Sequence, residues 1–265
     1  MWCWWLPFLT VTPRRDAVTL CACSSVGVRC AEMEPLPEDW DRGLAVVAHP
    51  DDLEYGAASA IARWTDQGKA FTYVLATRGE AGLDMPPDEA GPLREAEEVA
   101  SAAVVGVRVV EFLDHLDGVV EAGLPLRRDL ARAIRRHRPE VIVSINFREG
   151  WGGTSFNMAD HRNLGIALLD AVRDAANRWI FPELLDEGHE PWTGVRMVCF
   201  SASPRSTHGV DVTGYLERGI ESLEEHRAYL DHVGVDAREM LTGFATSSGE
   251  RFGTEHAVLF EVFTP

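Results

Sequence analysis

Short apolar runs alternate with longer amphipathic segments along most of the chain. The apolar runs are rich in Val, Leu, Ile and Phe, which is typical of buried strands. The segments between them repeat apolar residues at helical spacing. The predicted strands are 44–49, 70–77, 107–113, 140–146, 196–202, 209–213 and 257–263. The predicted helices are 53–68, 92–105, 125–137, 160–178 and, as the last helix of the chain, 214–231. Strands and helices that alternate over short links predict an α/β fold, a three-layer sandwich with a mostly parallel sheet.

Proline and aspartate residues mark several ends of the predicted helices. Pro92 stands near the start of helix 92–105, where its missing N–H costs little. Helix 125–137 ends just before Pro139. Asp160 begins helix 160–178 and is suited to cap its N-terminus.

Polar and Gly-rich segments follow four of the predicted strands. His49 ends the first strand, and the segments 77–82, 113–118 and 146–153 follow the next three. In a parallel sheet, ligands bind at the carboxyl ends of the strands. The sequence therefore predicts a functional site at this edge of the sheet.

The overall charge disfavours binding to polyanionic partners. The 265 residues include 42 Asp and Glu against 25 Lys and Arg, a formal net charge of -17. Binding of nucleic acid or anionic membrane by bulk electrostatics is therefore disfavoured. Four of the five cysteines fall in the first thirty residues, and Cys199 stands alone in a predicted strand. This pattern is not a disulfide framework, so we interpret Cys199 as a small core residue of a cytoplasmic protein.

The composition changes near Met33. Residues before it include an apolar stretch of about a dozen, too short to span a bilayer as a helix. We interpret residues 1–38 as an N-terminal extension outside the fold, with the functional start near Met33, and residues 39–265 as one domain.

The most informative stretch is "AHPDDLEYG", where the first strand ends. His49 and Asp52 are three positions apart across a bend stiffened by Pro50, so both side chains can reach one cation. Zn²⁺ accepts imidazole nitrogen and carboxylate oxygen, and a catalytic site usually has three protein ligands and one open position. His161, at a helix start after the fourth strand, is the candidate third ligand, and Asp51 is then free to hold a water. Singly, Asp51 or Asp52 also suits an N-cap, and Glu54 suits the helix dipole.

Several motifs together resemble one enzyme family. "AHPDDLEYG", "ATRGEAG", "REAEEVASAAVVGV", "FLDHLDG" and "DHRNLG" are similar to the LmbE-like, or PIG-L, family of zinc-dependent N-deacetylases. The resemblance is clearest over residues 44–170. It implies a Rossmann-like fold and hydrolysis of an N-acetyl group, commonly on a glucosamine unit. It also implies zinc ligands at His49, Asp52 and His161, with Asp51 as general base.

The resemblance also implies a substrate pocket with one departure from the family pattern. Glu80, Arg94 and, more weakly, Asp117 match pocket positions. The family often has a histidine three residues before the third ligand, which stabilises the oxyanion or protonates the leaving amine. This chain has Met158 there, which can do neither. Arg94, His208 and His256 are candidates for that role, His208 being equally suited to a surface loop. Asp51 acting as both base and acid, or a different substrate, remains an alternative.

We therefore expect a hydrolase that removes an N-acetyl group from a small N-acetylglucosamine-type sugar or conjugate. The main alternative is a zinc amidase for a non-sugar amide, such as a thiol conjugate or a natural-product intermediate, which Phe147, Trp151 and Met158 leave open. A nucleotide-binding module is disfavoured, because no GxGxxG follows the first strand. A non-catalytic module with a structural metal, another metal such as Fe²⁺, and a homo-oligomer also remain open.

Overall fold

The computed structural model describes residues 33–265. Ten strands are found in this part of the chain: β1 Glu34–Pro35, β2 Arg42–Val47, β3 Ala70–Leu75, β4 Val109–Phe112, β5 Val141–Ile145, β6 Gly150–Gly152, β7 Ser155–Phe156, β8 Met197–Ser201, β9 His208–Asp211 and β10 Ala257–Phe263. Its helices are α1 Asp52–Gly56, α2 Ala58–Asp66, α3 Pro87–Val104, α4 Leu124–His137, α5 Ala159–Ala176, α6 Glu183–Asp186, α7 Leu216–Glu224, α8 Arg227–Val233 and α9 Ala237–Phe252. None of these helices is long and apolar enough to cross a membrane.

Eight strands form one sheet in the order β1-β9-β10-β8-β5-β2-β3-β4. The five neighbours β8, β5, β2, β3 and β4 are all parallel. Only β10 runs against its neighbours, β8 and β9. The predicted α/β fold with a mostly parallel sheet is confirmed. The chain leaves β2 towards β3 and later returns to β5 on the other side of β2, so a crevice opens at the carboxyl ends of β2 and β5.

Helices cover both faces of the sheet. Alternate strand residues, such as Leu44 and Val74, pack with α4 and α5 in one apolar cluster. On the opposite face the ring of Trp64 in α2 stacks on Phe71 of β3, with centroids 5.7 Å apart and planes 10° apart. Because side chains alternate along a strand, each central strand is buried on both sides, and β2 is buried from Gly43 to Val47.

The helices around the site differ from the prediction at two places. The helix predicted over 53–68 is broken into α1 and α2 at Ala57, next to Gly56, where an added Cβ would meet the Ser201 hydroxyl at 2.4 Å. Helix α3 begins at Pro87 rather than near Pro92, because Pro87 is equally suited to a first helical position. The end of α4 at His137, before Pro139, is confirmed.

The prediction of a last helix at 214–231 is wrong. That segment forms α7 and α8, and α9 follows at Ala237–Phe252. The α9 sequence contains Gly243, Gly249 and several Ser and Thr residues, which are weak helix formers. The sequence nonetheless contains a helix start signal, the aspartate Asp236 followed three residues later by Glu239. In the structure the Asp236 side chain caps α9 by accepting the Glu239 N–H at 2.9 Å.

Residues 34–38 belong to the packed structure, although the predicted extension, 1–38, includes them. Strand β1 pairs with β9, and Leu36 is only 4% exposed. Glu38 accepts hydrogen bonds from Arg63 and Trp64 of α2. The predicted start of the domain, at residue 39, is therefore several residues too late. The remainder of the predicted extension, residues 1–32, lies outside the described residues.

Candidate active site

The turn from β2 into α1 is organised by the carboxylate of Asp52. Its Oδ2 accepts the backbone N–H groups of Ala48 at 3.1 Å and His49 at 2.9 Å. These two bonds fix the side chain over the end of β2. Neither Asp51 nor Asp52 caps α1 with its side chain, since the N-cap position makes no side-chain hydrogen bond. The capping interpretation of these residues is therefore wrong.

Three side chains converge on one point at this edge of the sheet. Oδ1 of Asp52 lies 2.9 Å from Nε2 of His161, and Oδ2 of Asp52 lies 3.4 Å from Nδ1 of His49. One ligand atom from each residue falls within 4.8 Å of the others, the spacing that a single metal ion requires. All three residues are at most 6% exposed. The predicted triad is therefore brought together across 112 positions of the sequence (His161 to His49).

Both imidazoles are oriented by a second partner. Nε2 of His49 lies 3.2 Å from Oδ2 of Asp160, and Nδ1 of His161 lies 2.9 Å from Oδ1 of Asn157. Such partners fix the ring orientation and tautomer of a metal-ligating histidine. They point Nδ1 of His49 and Nε2 of His161 towards Asp52. The donor set, two imidazoles and one carboxylate oriented in this way, fits a Zn²⁺-type ion.

Asp160 is a positioning residue and not the predicted helix cap. Helix α5 has Met158 at its N-cap, and no side chain caps it. The carboxylate of Asp160 instead accepts the N–H groups of Gly118 at 2.7 Å and Val120 at 3.2 Å. It thus joins the start of α5 to the loop after β4 and presents an oxygen to His49.

A second grouping at the same place, His49 with Asp117 and Asp160, suits a metal less well. Nε2 of His49 lies 3.1 Å from Asp117 and 3.2 Å from Asp160. Both oxygens of Asp160 already accept backbone N–H groups, and Asp117 accepts the Ala81 N–H at 2.8 Å. By contrast, Oδ1 of Asp52 accepts no backbone N–H group and faces Nε2 of His161 at 2.9 Å. We therefore assign the metal to the group that contains Asp52.

The two adjacent aspartates are in different protonation environments. Burial alone would raise the pKa of Asp52, but the neighbouring His161 and His49 outweigh burial and lower that pKa. Asp52 is thus ionised at neutral pH, as a metal ligand must be. Burial raises the pKa of Asp51 to about 7, against the opposing charge of Arg94. A general base is most effective with a pKa near the working pH.

Asp51 adopts an unusual backbone conformation that α3 supports. Its φ is 93°, in the left-handed region that non-glycine residues rarely occupy and that costs on the order of 1–3 kcal/mol. Glu98 accepts its N–H at 3.3 Å. Arg94 donates to the carbonyl of Pro50 at 2.5 Å and lies 3.1 Å from the Asp51 carboxylate. These contacts hold the Asp51 side chain in place.

The glycines of "RGEAG" make room for Arg94. A Cβ on Gly79 or Gly82 would lie 2.4 Å from Nη1 of Arg94. The guanidinium donates to the Gly79 carbonyl at 3.1 Å and lies over the Tyr229 ring at 4.4 Å. Arg94 is only 2% exposed, and these contacts are all with other residues of the chain. Its predicted contact with a substrate stays a prediction.

Glu80 and Asp117 link two loops beside the triad. Oε1 of Glu80 accepts the Asp117 N–H at 2.9 Å, and Oε2 accepts the Arg78 N–H at 3.1 Å. The first of these bonds, with that from Ala81 to Asp117, ties the loop after β3 to the loop after β4. Both residues therefore lie at the predicted edge, and their role towards a substrate stays a prediction.

Of the other residues that the sequence singles out, some lie beside the triad and others lie in the core. Trp151, in the β6–β7 hairpin, meets the ring of His161 edge-on at 5.9 Å. Met158 precedes α5 and donates its N–H to Asn157 at 2.9 Å. Phe147, expected beside the site, is a core residue whose ring is 4.4 Å from that of Phe200. Cys199 is buried in β8, as predicted.

The histidines proposed to replace the missing one lie apart from the triad. His208 is in β9, where its side chain contacts Thr207 and, at 3.9 Å, Glu34 of β1. It is separated from β2 by β10, β8 and β5. His256 precedes β10, and its N–H donates to Thr213. The prediction that His208 is an acid or oxyanion helper is not supported by this placement, which leaves Arg94 as the candidate nearest Asp51.

Comparisons with known proteins agree with this geometry. The family model described as "PIG-L: GlcNAc-PI de-N-acetylase" matches residues 44–172, the segment that carries all three triad residues. A diacetylchitobiose deacetylase of Thermococcus kodakarensis is 25% identical over 193 residues, which is 72% of this chain and 70% of that protein. A 1D-myo-inositol 2-acetamido-2-deoxy-alpha-D-glucopyranoside deacetylase of Thermobispora bispora is 30% identical over 210 residues, 69% of this chain and 63% of that protein.

Solved structures have the same fold. The N,N'-diacetylchitobiose deacetylase of Pyrococcus horikoshii superposes with a TM-score of 0.79 at 22% identity, over 86% of this chain and 85% of that one. At this level of identity the likeness establishes the architecture, a mostly parallel sheet between helices. The chemistry has to be argued from the side chains.

Proposed function

We propose that this chain, which belongs to the PIG-L/LmbE-like family, is a zinc-dependent hydrolase that removes the N-acetyl group of a small amino-sugar substrate or conjugate. One observation carries the proposal. His49, Asp52 and His161 converge on a point beside Asp51, a carboxylate that is outside the ligand set and has a pKa near neutrality. This separation of metal ligands from a proton acceptor is what hydrolysis by an activated water needs.

The residues have distinct roles in this reaction. A zinc ion held by His49, Asp52 and His161 would lower the pKa of a bound water and polarise the amide carbonyl. Asp51 accepts the proton of the attacking water and carries it towards the leaving amine, which needs a proton to depart. Arg94 keeps the Asp51 carboxylate oriented, 3.1 Å from its guanidinium, and holds positive charge near the reacting carbonyl. Because the site residues are nearly fully buried, these charges act in a medium of low dielectric constant.

The relatives favour an acetamido sugar as the substrate. Both sequence relatives are named as deacetylases, of diacetylchitobiose and of an inositol-linked 2-acetamido-2-deoxy-glucopyranoside. Glu80 and Asp117, on loops beside the triad, offer the polar groups that a sugar requires. We infer that the acyl group is acetyl and that the amine is a glucosamine unit, free or conjugated.

A second substrate class is favoured by apolar residues around the same loops. Leu116 and Val119, which flank Asp117 and Gly118, are 69% and 65% exposed, and Phe156, next to Asn157, is 75% exposed. Exposed apolar side chains near a site are suited to an apolar substituent on the substrate. This favours a glycoside with an apolar aglycone, or a non-sugar N-acyl amine, as the second candidate.

A substrate screen tests the proposal. The full chain, loaded with Zn²⁺, is incubated with N-acetylglucosamine, diacetylchitobiose, N-acetylglucosaminides with inositol or apolar aglycones, and N-acetylated non-sugar amines. Release of acetate is then measured. We expect acetate from at least one acetamido sugar and none after chelation of the metal. Acetate only from the N-acetylglucosaminides with apolar aglycones or from the non-sugar amines would favour the second candidate. No release from any amide would overturn the assignment as a deacetylase.

A further inference from the structure

A second buried cluster of charged side chains lies behind Asp51. Glu54 in α1, Glu98 in α3 and His226, between α7 and α8, are 2%, 0% and 0% exposed. One ligand atom from each of the three falls within 4.8 Å of the others. None of the three belongs to the triad, and the proposed reaction uses none of them.

The distances from His226 to the two carboxylates are too long for hydrogen bonds. Nε2 of His226 lies 3.7 Å from Oε2 of Glu54 and 3.6 Å from Oε2 of Glu98. Hydrogen bonds between nitrogen and oxygen are about 2.7–3.2 Å long. A tetrahedral ion with bonds of about 2.0–2.2 Å holds neighbouring ligand atoms about 3.3–3.6 Å apart. The two distances from Nε2 of His226 to the carboxylates are close to this spacing.

Several buried polar atoms of the cluster residues have no hydrogen-bond partner among residues 33–265. They are Oε2 of Glu54, Oε1 of Glu98 and both ring nitrogens of His226. The hydroxyl of Tyr73, which is fully buried in β3, also has no such partner. Burial and then the charges of Glu54 and Glu98 raise the pKa of Tyr73. Buried polar atoms left in this way cost on the order of 1–3 kcal/mol each.

The two carboxylates of the cluster also lack a Lys or Arg partner within residues 33–265. Within the described chain, neither Glu54 nor Glu98 forms an ion pair with Lys or Arg, and His226 is the basic residue next to both. A divalent cation would neutralise two carboxylates and leave the imidazole neutral, the form that binds metal. Glu54 is already oriented for this, because its other oxygen accepts the Ser101 hydroxyl at 2.7 Å.

We propose that Glu54, Glu98 and His226 form a second divalent-cation site, for an ion such as Zn²⁺ that accepts both nitrogen and oxygen ligands. The site is joined to the first by the Asp51 backbone, whose N–H donates to Glu98 at 3.3 Å. A cation bound there would fix Glu98, and through it the left-handed turn that presents Asp51. The proposal is independent of the substrate and of the reaction at the first site.

Metal content distinguishes the two sites. The purified full chain is equilibrated with Zn²⁺, freed of unbound ion and analysed by mass spectrometry for metal per chain. We expect two equivalents in the wild type, one in Glu98→Gln and one in Asp52→Ala. The matched control is Glu97→Gln, the adjacent glutamate on α3, which accepts the Ala228 N–H at 2.7 Å and should keep two.

The decisive comparison is between the wild type and Glu98→Gln. Equal metal content in these two proteins would overturn the second site, whatever Asp52→Ala does. A separate measurement covers the case in which Glu98→Gln does not fold. In wild-type crystals, an anomalous peak at the zinc edge within bonding distance of Nε2 of His226 supports the site, and the absence of a peak there overturns it. A protein with anomalous peaks at both the triad and His226 but no acetate release would count against the proposed function alone.

Discussion

Nε2 of His49 lies 3.2 Å from Oδ2 of Asp160, a residue 111 positions further along the chain. This contact fixes the ring that carries a proposed metal ligand. Asp160→Asn keeps the shape and one oxygen but removes the charge that holds the His49 tautomer. We expect the affinity for Zn²⁺ to fall by about 10–100-fold, as is usual for such outer partners. Competition with a chromophoric chelator measures the affinity.

The matched control for this change is Asp170→Asn, on the same helix. Its carboxylate is 54% exposed and 3.7 Å from Arg127. This variant should bind Zn²⁺ like the wild type. An Asp160→Asn protein with wild-type affinity would mean that Asp160 orders the loop at Gly118 without orienting His49.

Substitutions of Asp51 and of Asp52 should have different effects on metal binding and on the reaction rate. Asp52→Ala and His161→Ala each remove a proposed ligand, so both should lose most of the metal at the triad and all turnover. Asp51→Asn removes the proton acceptor but keeps the side-chain shape, so the metal should stay while the rate falls by about 10²–10⁴. Metal analysis and acetate release on the same preparations separate the two effects. Loss of that metal from Asp51→Asn would make Asp51 a ligand, and full activity would remove it as the base.

A histidine at position 158, in place of Met158, should change proton transfer in the reaction. Met158→His places an imidazole three residues before His161, next to Asn157, which holds that histidine. We expect unchanged metal content and a change in the acidic or basic limb of the pH–rate profile, because an added titratable group can donate to the leaving amine. Met240→His, in α9, is the control and should leave the profile unchanged. An unchanged profile for both variants would contradict a role of position 158 in proton transfer.

The site was predictable where one short segment supplies the chemistry. His49, Asp51 and Asp52 stand within four residues, so their separate tasks can be inferred from spacing and residue type. Glu98 and Asn157 were missed. Glu98 meets Asp51 across 47 positions, and only the packing of α3 against the β2–α1 turn brings them together. No local pattern in the sequence encodes such a contact.

Asp160 illustrates the same limit in another form. The sequence places it correctly at the start of α5, and the capping role expected there is a local one. Its actual partners are Gly118, Val120 and His49, which all lie forty or more positions before Asp160. The strand order of the sheet decides which loop faces α5. Alternating apolar runs predict that a parallel sheet exists, but they leave the order of its strands open.

The fold should require residues 33–38 but not residues 1–32. A chain that begins at Met33 retains the β1–β9 pairing and Leu36, so we expect it to fold, bind metal and keep full activity. A chain that begins at Asp39 loses the buried Leu36 and the Glu38 contacts with α2, and should unfold at a lower urea concentration. Urea unfolding followed by circular dichroism compares the two. An insoluble Met33 chain beside a soluble full chain would contradict the boundary.

Glu38 should stabilise the fold in a pH-dependent way. Its carboxylate accepts hydrogen bonds from Arg63, Trp64 and Gln67, at 2.8–3.0 Å. Burial acts to raise the pKa of Glu38, but the bonds from these side chains outweigh burial and lower that pKa. Glu38→Gln should therefore lower the free energy of unfolding by about 1–2 kcal/mol at pH 7, since bonds to a charged acceptor are lost.

The sign of the pH dependence follows from the lowered pKa of Glu38. A carboxyl with a lower pKa in the folded state contributes stability above its unfolded pKa, about 4.3 for Glu, and loses it as the pH falls through the folded value. The difference in unfolding free energy between wild type and Glu38→Gln should thus be constant from pH 8 to about 5.5 and shrink below about 4.3. Glu34→Gln is the control, because that side chain is 78% exposed and only 3.9 Å from His208. It should show little difference from wild type at any pH. A Glu38→Gln difference that persists undiminished below pH 4 would mean that shape, rather than charge, holds residues 34–38 against α2.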